Sequence, residues 1–173
     1  ALLSRGLGDV YKRQVYGMTI GEYAQMINGE KWLKDKIVCD LKIIKMLGYD
    51  RNKKYRLKDK PSPNLPNEKS INLYPSLCFF EQTPVSVGRG TNLQFQIIGH
   101  PDWTGKSFNF KPVPMIGAKH PKHNGVLCHG VKLTDTEYLS KVSIDWLINS
   151  YNISNDKENF FGNSFHEIAG NFT

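Results

Sequence analysis

Leu77-Cys78-Phe79-Phe80-Glu81-Gln82-Thr83-Pro84-Val85-Ser86-Val87-Gly88-Arg89-Gly90-Thr91 joins four apolar residues to a polar, glycine-bearing segment. The apolar run reads as a buried strand, which would bring Glu81 to the point where that strand leaves the core. Ligand chemistry in α/β folds often gathers at such strand ends. Gly88 and Gly90 allow tight turns and close backbone approach on both sides of Arg89. A guanidinium held there could grip a carboxylate or phosphate through two parallel hydrogen bonds. The same residues also suit a β-turn after a strand, with Arg89 on the surface.

Upstream, Thr19-Ile20-Gly21-Glu22 has capping-box spacing, and Ile20, Tyr23, Ala24 and Ile27 form one apolar helical stripe that Asn28-Gly29 would end. From Ile37 the period changes to two: Ile37, Cys39, Leu41 and Ile43 fall on one face and Val38, Asp40 and Lys42 on the other, which predicts a strand. Pro61-Ser62-Pro63-Asn64-Leu65-Pro66 fixes an extended, rigid path that presents Asn64. Asn67 can cap a short helix through Ile71 and Tyr74, ended at Pro75.

Downstream, Leu93, Phe95 and Ile97 alternate with Gln94 and Gln96 as in a half-buried strand, Phe108 and Phe110 alternate likewise, and Val126 to Leu133 reads as a further strand. Thr134 with Glu137 repeats the capping box ahead of Leu139, Val142, Trp146 and Leu147, a helix expected to run to about Tyr151. Phe160, Phe161, Phe165 and Ile168 would anchor a polar tail. Helices interspersed with short strands predict an α/β fold, α+β-like, with a mixed sheet flanked by helices.

With 173 residues, 39% of them hydrophobic, the chain suffices for one domain with a core, or for a domain and a piece of another. The net charge of +7 could suit an anionic partner. Its densest basic group, Arg51, Lys53, Lys54, Arg56, Lys58 and Lys60, has little aromatic interleaving, so a solvated surface is expected rather than a nucleic-acid site. No apolar run reaches the length of a membrane span. Cys39, Cys78 and Cys128 each lie in an apolar stretch and read as buried thiols, from which no redox compartment follows. Ala1 to Gln14 resemble translated adapter sequence and are left out of the fold reasoning.

His120-Pro121-Lys122-His123 with Cys128-His129 matches no strong zinc spacing, so no metal site is expected, and no cofactor. Gly88-Arg89-Gly90 lacks the third glycine and following helix of a phosphate fingerprint, and no Gly-x-Ser-x-Gly occurs. Among the acidic residues Glu81 differs by its apolar flanks, and partial burial suits a carboxyl to act as a general acid. Glycoside hydrolysis usually needs a second carboxylate, for which Asp102, beside His100 and Trp103, is the nearest candidate by character.

Taken in order, Pro61 to Pro66, Tyr74-Pro75, Phe80 to Thr91, and Phe95 with Ile98-Gly99 resemble the peptidoglycan exo-β-N-acetylmuramidase family called NamZ, long known as a domain of unknown function. Tyr16 to Glu22 and Cys128-His129-Gly130-Val131 are similar to further segments of that family, so the likeness covers about residues 15 to 173. It implies an N-terminal Rossmann-like domain and a C-terminal α/β domain with the active-site cleft between them, in enzymes that remove N-acetylmuramic acid from non-reducing ends of peptidoglycan fragments. Residues 15–58 would then be the end of the first domain and a linker. Residues 59–173 would be the second domain, cut short at its end, and the rest of the first domain, with its acidic residue, would be the missing partner within the same chain. By itself such a fragment is expected to be inactive.

The resemblance makes Glu81 the catalytic candidate and Arg89, Asn64, Ser62, Gly88, Gly90 and Thr91 the substrate-binding candidates, for muramyl saccharides, in a periplasmic or secreted protein. Gln82, Pro84 and Val87 stand where the family often has Gly, Asn and a second Glu, which puts that second carboxylate in question. The alternative reading is a cell-wall carbohydrate-binding module without catalysis.

Overall fold

A computed structural model describes residues 18–50, 57 and 59–169, which separate into two compact units, residues 18–50 and residues 57 onward. The opening fourteen residues, Tyr16-Gly17, and the basic residues Arg51, Lys53, Lys54, Arg56 and Lys58 lie outside the described residues.

In the smaller unit, helix α1 (Ile20–Gly29) starts where the capping box predicts: Glu22 N–H donates to Thr19 Oγ1 at 3.2 Å, and Thr19 N–H donates back to Glu22 Oε2 at 2.7 Å. The expected apolar stripe is only half covered. Tyr23, Ala24 and Ile27 are half-buried, whereas Ile20 is 89% exposed, and no described residue of this unit is buried. The alternating segment from Ile37 forms no strand. A strand needs a neighbour for its backbone groups, and among the described residues the Asn28 side chain stands in for one, donating from Nδ2 to Cys39 O at 2.9 Å and accepting from Cys39 N–H at 2.7 Å. Cys39 is exposed, contrary to expectation, while Cys78 and Cys128 are buried.

The larger unit is built on helix α2 (Glu68–Leu77), capped by Asn67, whose Oδ1 accepts from Ser70 N–H at 2.9 Å while Ser70 Oγ accepts from Asn67 N–H at 3.2 Å. Pro75 lies inside this helix rather than ending it. Proline's main loss is the hydrogen bond to the carbonyl four residues back, and packing of the buried Leu73, Tyr74 and Leu77 carries the helix past it. Leu77 to Phe80 are therefore helical. The chain runs from α2 straight into a 3₁₀ turn (Cys78–Gln82), and Glu81 lies near the end of that turn instead of at a strand end. A run of four apolar residues has no period of its own, and its continuity with the capped helix decides its state.

Strands β1 (Ile97–His100), β2 (Phe108–Phe110) and β3 (Cys128–Lys132) form an antiparallel sheet in the order β1-β3-β2. Gly130 of β3 pairs with Gly99 on one side and Phe108 on the other. Alternation places Ile98 in the main core with Leu73, Leu77, Phe80, Phe95 and Phe160, and Ile97 in a smaller cluster with Phe110 and Cys128. The strand begins later than the pattern from Leu93 suggests. The chain turns through Phe95 at φ 53°, and both glutamines point inward: Gln96 Oε1 accepts from Asn67 Nδ2 at 3.2 Å, and Gln94 is buried as well.

Helix α3 (Asp145–Ile153) starts about ten residues after the second expected capping box, whose Thr134 hydroxyl bonds Asp135 instead. Side chains of α2 take up the intervening backbone. Lys69 Nζ donates to Thr136 O, Asn72 bonds Leu139 N–H and O at 2.9 Å each, and Ser76 Oγ accepts from Ser143 N–H at 3.0 Å. With those groups satisfied, helix offers them nothing further. Short helix α4 (Phe165–Ala169) follows the buried Phe160, and Phe165 packs against the core as expected. The overall class is mixed α/β, with helices flanking an antiparallel sheet. No helix among the described residues is long and apolar enough to cross a membrane.

A Cβ on Gly130 would lie 2.0 Å from Ile98 O in the neighbouring strand, whereas one on Gly105 meets nothing within 4 Å. Gly130→Ala is expected to lower stability by more than about 2 kcal/mol. Gly105→Ala, at φ 66°, is expected to cost about 1 kcal/mol. Urea midpoints of the two variants check the ordering.

Candidate functional site

Among the described residues the segment after the 3₁₀ turn bridges to the sheet at Ser86, which exchanges N–H···O bonds with Gly99 at 2.9 and 3.0 Å. The chain then reverses through Gly88 (φ 80°) and Gly90 (φ 83°). Both positions require glycine on two counts, because an added Cβ would come within 2.5 Å of Leu93 O at the first and 2.8 Å of Val113 O at the second. Thr91 completes the turn. Its hydroxyl donates to Gly88 O at 2.7 Å and accepts from Leu93 N–H at 3.0 Å. Gly88, Gly90 and Thr91 thus shape the turn that holds Arg89 out.

Arg89 Nη2 donates to Glu81 Oε1 at 2.6 Å, with the guanidinium 5.5 Å from the centre of the Phe95 ring. The Glu81 side chain is 19% exposed and that of Arg89 is 36% exposed. Arg89 Nε is buried without a hydrogen-bond partner among the described residues. Both side chains line a depression of about 440 Å³ with Gln82, Ser86, Val87 and the segment Gly117 to Lys122. Its charged lining is Arg89, Lys119 and Lys122 against Glu81, an excess of positive charge.

Asn64 is buried and donates from Nδ2 to Gly117 O at 2.8 Å, so it supports the wall of this depression from behind instead of being presented to solvent. Its Oδ1 is buried without a hydrogen-bond partner among the described residues. Ser62 Oγ accepts from Asn64 N–H at 3.2 Å and is one step further back. Asp102 lines a different depression, of about 350 Å³, with His100 and Trp103, and is not brought together with Glu81 there.

His120, His123 and His129 disperse, while His100 packs edge-to-face on His123 with ring centroids 4.7 Å apart. His123 Nε2 lies 2.6 Å from Pro84 O, His129 Nδ1 lies 2.7 Å from Asn109 Oδ1, and His120 lines the Glu81 depression. Among the described residues no three His, Cys, Asp or Glu side chains gather closely enough to hold a metal ion.

Sequence reasoning missed Lys122. Its Nζ donates to Phe80 O at 2.7 Å, Thr83 O at 2.5 Å and Val85 O at 3.3 Å. Burial pushes this ammonium down to about 8, with Glu81 pulling it up and Arg89 adding to the push. Its partners lie 37 to 42 residues away, so no signal within its own stretch of sequence marks it.

Residues 72–172, more than half of the chain, match the family description "Exo-beta-N-acetylmuramidase NamZ, C-terminal". The chain belongs to the NamZ family. Residues 4–69 match the companion description, "Exo-beta-N-acetylmuramidase NamZ, N-terminal". Among NamZ relatives, the "Peptidoglycan beta-N-acetylmuramidase NamZ" of Bacillus subtilis (strain 168) is 36% identical, over 70% of this chain and 32% of its own length. A solved DUF1343 family protein from Bacteroides fragilis NCTC 9343 superposes with a TM-score of 0.82 at 46% identity, covering 91% of this chain and 46% of that one. A second DUF1343 protein of the same organism, at 22% identity and a TM-score of 0.64, shares the fold. The chain therefore spans about a third to a half of the length of the NamZ relatives it matches.

Because the folded pKa of Lys122 lies below the 10.5 of the free side chain, the unfolded chain holds this proton more tightly. The unfavourable contribution is full below about pH 8 and is relieved as pH rises from there towards 10.5. Between pH 8 and 9 the Lys122 contribution is expected to grow by up to about 1 kcal/mol, read as the difference in urea stability between the protein and Lys122→Met, because unfolded-chain ionisation of Cys78 and Cys128, whose thiols burial pushes up in the fold, lowers the stability of both over the same range.

Proposed function

We propose that this chain supplies one wall of the active site of a peptidoglycan-degrading exo-β-N-acetylmuramidase, a glycoside hydrolase that removes terminal N-acetylmuramic acid from non-reducing ends. The observation that carries the reading is the Glu81–Arg89 pair inside a depression whose charged lining is mainly cationic. Muramic acid differs from glucosamine by a lactyl ether bearing a carboxylate, so a positively charged wall with a rigidly held guanidinium suits it chemically. One Arg89 donor is engaged by Glu81, and the rest of the guanidinium fork is left for that carboxylate. Membership of the NamZ family and the name of the B. subtilis relative support the same reaction class.

In this reading Arg89 selects the lactyl group, and Glu81 assists hydrolysis or orients a sugar hydroxyl. Gly88, Gly90, Thr91, Asn64 and Ser62 hold the wall in shape. The second carboxylate that glycoside hydrolysis calls for comes from the Rossmann-like N-terminal domain that the family carries. The substrate is a peptidoglycan-derived muramyl saccharide, which places the work in the periplasm or outside the cell.

The test is release of a chromogenic aglycone from a muramide by the complete gene product, with this chain alone as the control. The complete product is expected to turn over the muramide and the chain alone to be inactive. Binding of muramyl saccharides without any release would point to a binding module instead. In the active protein, Arg89→Lys removes the flat two-donor grip and is expected to reduce turnover of muramyl substrates by about tenfold or more relative to glucosaminyl ones. Equal loss on both would refute the selectivity role.

A further inference from the structure

The carbonyls of Phe80, Thr83, Pro84 and Val85 all turn to one place. Three are held by the Lys122 ammonium, and that of Pro84 is held by His123 Nε2, which must carry its proton because a carbonyl only accepts. These bonds span 37 to 42 residues of sequence and bracket Glu81, the group assigned above to the reaction. Lys122 also lines the depression that Glu81 and Arg89 enter. We infer that Lys122 is a positioning residue of the site: its ammonium fixes the backbone from which Glu81 projects and sets the charge that Glu81 feels opposite Arg89. This role rests on the reaction proposed in the preceding subsection.

The geometry suits a protonated lysine. An ammonium has three N–H donors and meets three carbonyls, whereas a neutral amine has two and would turn its lone pair on the third. The charged groups facing Lys122 are Glu81, from the 3₁₀ turn, and Arg89, from the glycine turn. His123 follows it in the chain. Cys78, the first residue of the 3₁₀ turn, stays a neutral thiol, pushed up to about 12 by burial first and by Glu81 second. Loss of the Lys122 proton near pH 8 relieves a buried charge, which favours folding, and at the same time releases one carbonyl beside Glu81, which disfavours positioning. The Lys122 contribution to stability, read against Lys122→Met, and turnover should therefore move in opposite directions as pH rises through 8. A lysine that served the fold alone would leave turnover of the folded protein unchanged through this range.

The experiment uses the complete gene product in a Cys39→Ser background, since Cys78 and Cys128 are buried. Lys122→Met is expected to lower kcat on the muramide about a hundredfold, with KM within about threefold, because misplacement by an ångström is enough for such a loss. Lys122→Cys treated with bromoethylamine restores an ammonium at the same reach on a thioether stem, which makes it more acidic. Turnover should return, with the alkaline limb of the kcat profile moved to lower pH.

Unchanged kcat in Lys122→Met, no recovery on aminoethylation, or an alkaline limb that stays in place overturns the role. If the complete product releases no muramic acid at all, the reaction assigned above fails, and the clamp is then decided by NMR of ¹⁵N-lysine-labelled protein. One slowly exchanging ammonium signal, missing in Lys122→Met, sustains it, and uniformly fast exchange overturns it.

Discussion

A backbone that leaves regular structure still has to place its carbonyls. Between the 3₁₀ turn and the isolated bridge at Ser86, the candidate site runs through such a stretch, and Lys122 resolves the difficulty with one side chain. The residue before it, Pro121, packs against Gly90, and the residue after it, His123, takes Pro84. Three consecutive residues thus meet the stretch at both of its ends. The position of Glu81 relative to Arg89 is a product of that grip, since neither side chain sits on a long helix or within the sheet. Removing a donor from such a place leaves buried acceptors unpaired, which costs more than the net worth of the bonds themselves.

The same device recurs across the larger unit. Lys69, Asn72 and Ser76 project from α2 and hold the backbone of residues 136–143, and Asn67, already a helix cap, ties α2 to the start of β1 through Gln96. The sheet has three strands of three to five residues, too short to organise the unit by ladder bonds alone. Polar side chains of one well-capped helix do the remaining work, while Leu73, Tyr74 and Leu77 on its inner side form the main core with Phe80, Phe95 and Phe160. Glycines supply what side chains cannot. Gly130 and Gly99 let β1 and β3 come close, and Gly88 and Gly90 turn the site segment.

What could be read from the sequence was what is local. Two helix starts were legible, at Thr19 because a capping box closes within four residues and at Asn67 because asparagine is a preferred cap, as were Phe108 to Phe110, where alternation survives in a short strand, and Cys128 to Lys132 inside the strand expected from Val126 to Leu133. The Thr134-x-x-Glu137 pattern misled for the complementary reason: its backbone was already claimed by α2, which periodicity within the segment cannot register. Leu93 to Ile97 alternates on paper, but Phe95 enters the left-handed region and both glutamines turn inward. Arg89 and Glu81 stood out through their glycine and apolar neighbours. Lys122 did not, because its partners are some forty residues away.

Asn28 offers a last point. In the smaller unit its amide does the work of a neighbouring strand, one oxygen and one nitrogen facing the N–H and carbonyl of Cys39. The next residue is Gly29, the neighbour that least obstructs cyclisation of an asparagine onto the following backbone nitrogen. Deamidation there would exchange the nitrogen for a second carboxylate oxygen, aimed at the Cys39 carbonyl. Attraction would become repulsion, and the segment from Ile37 would lose the pair of hydrogen bonds by which Asn28 holds it to α1. A gain of one mass unit at Asn28 would mark that exchange.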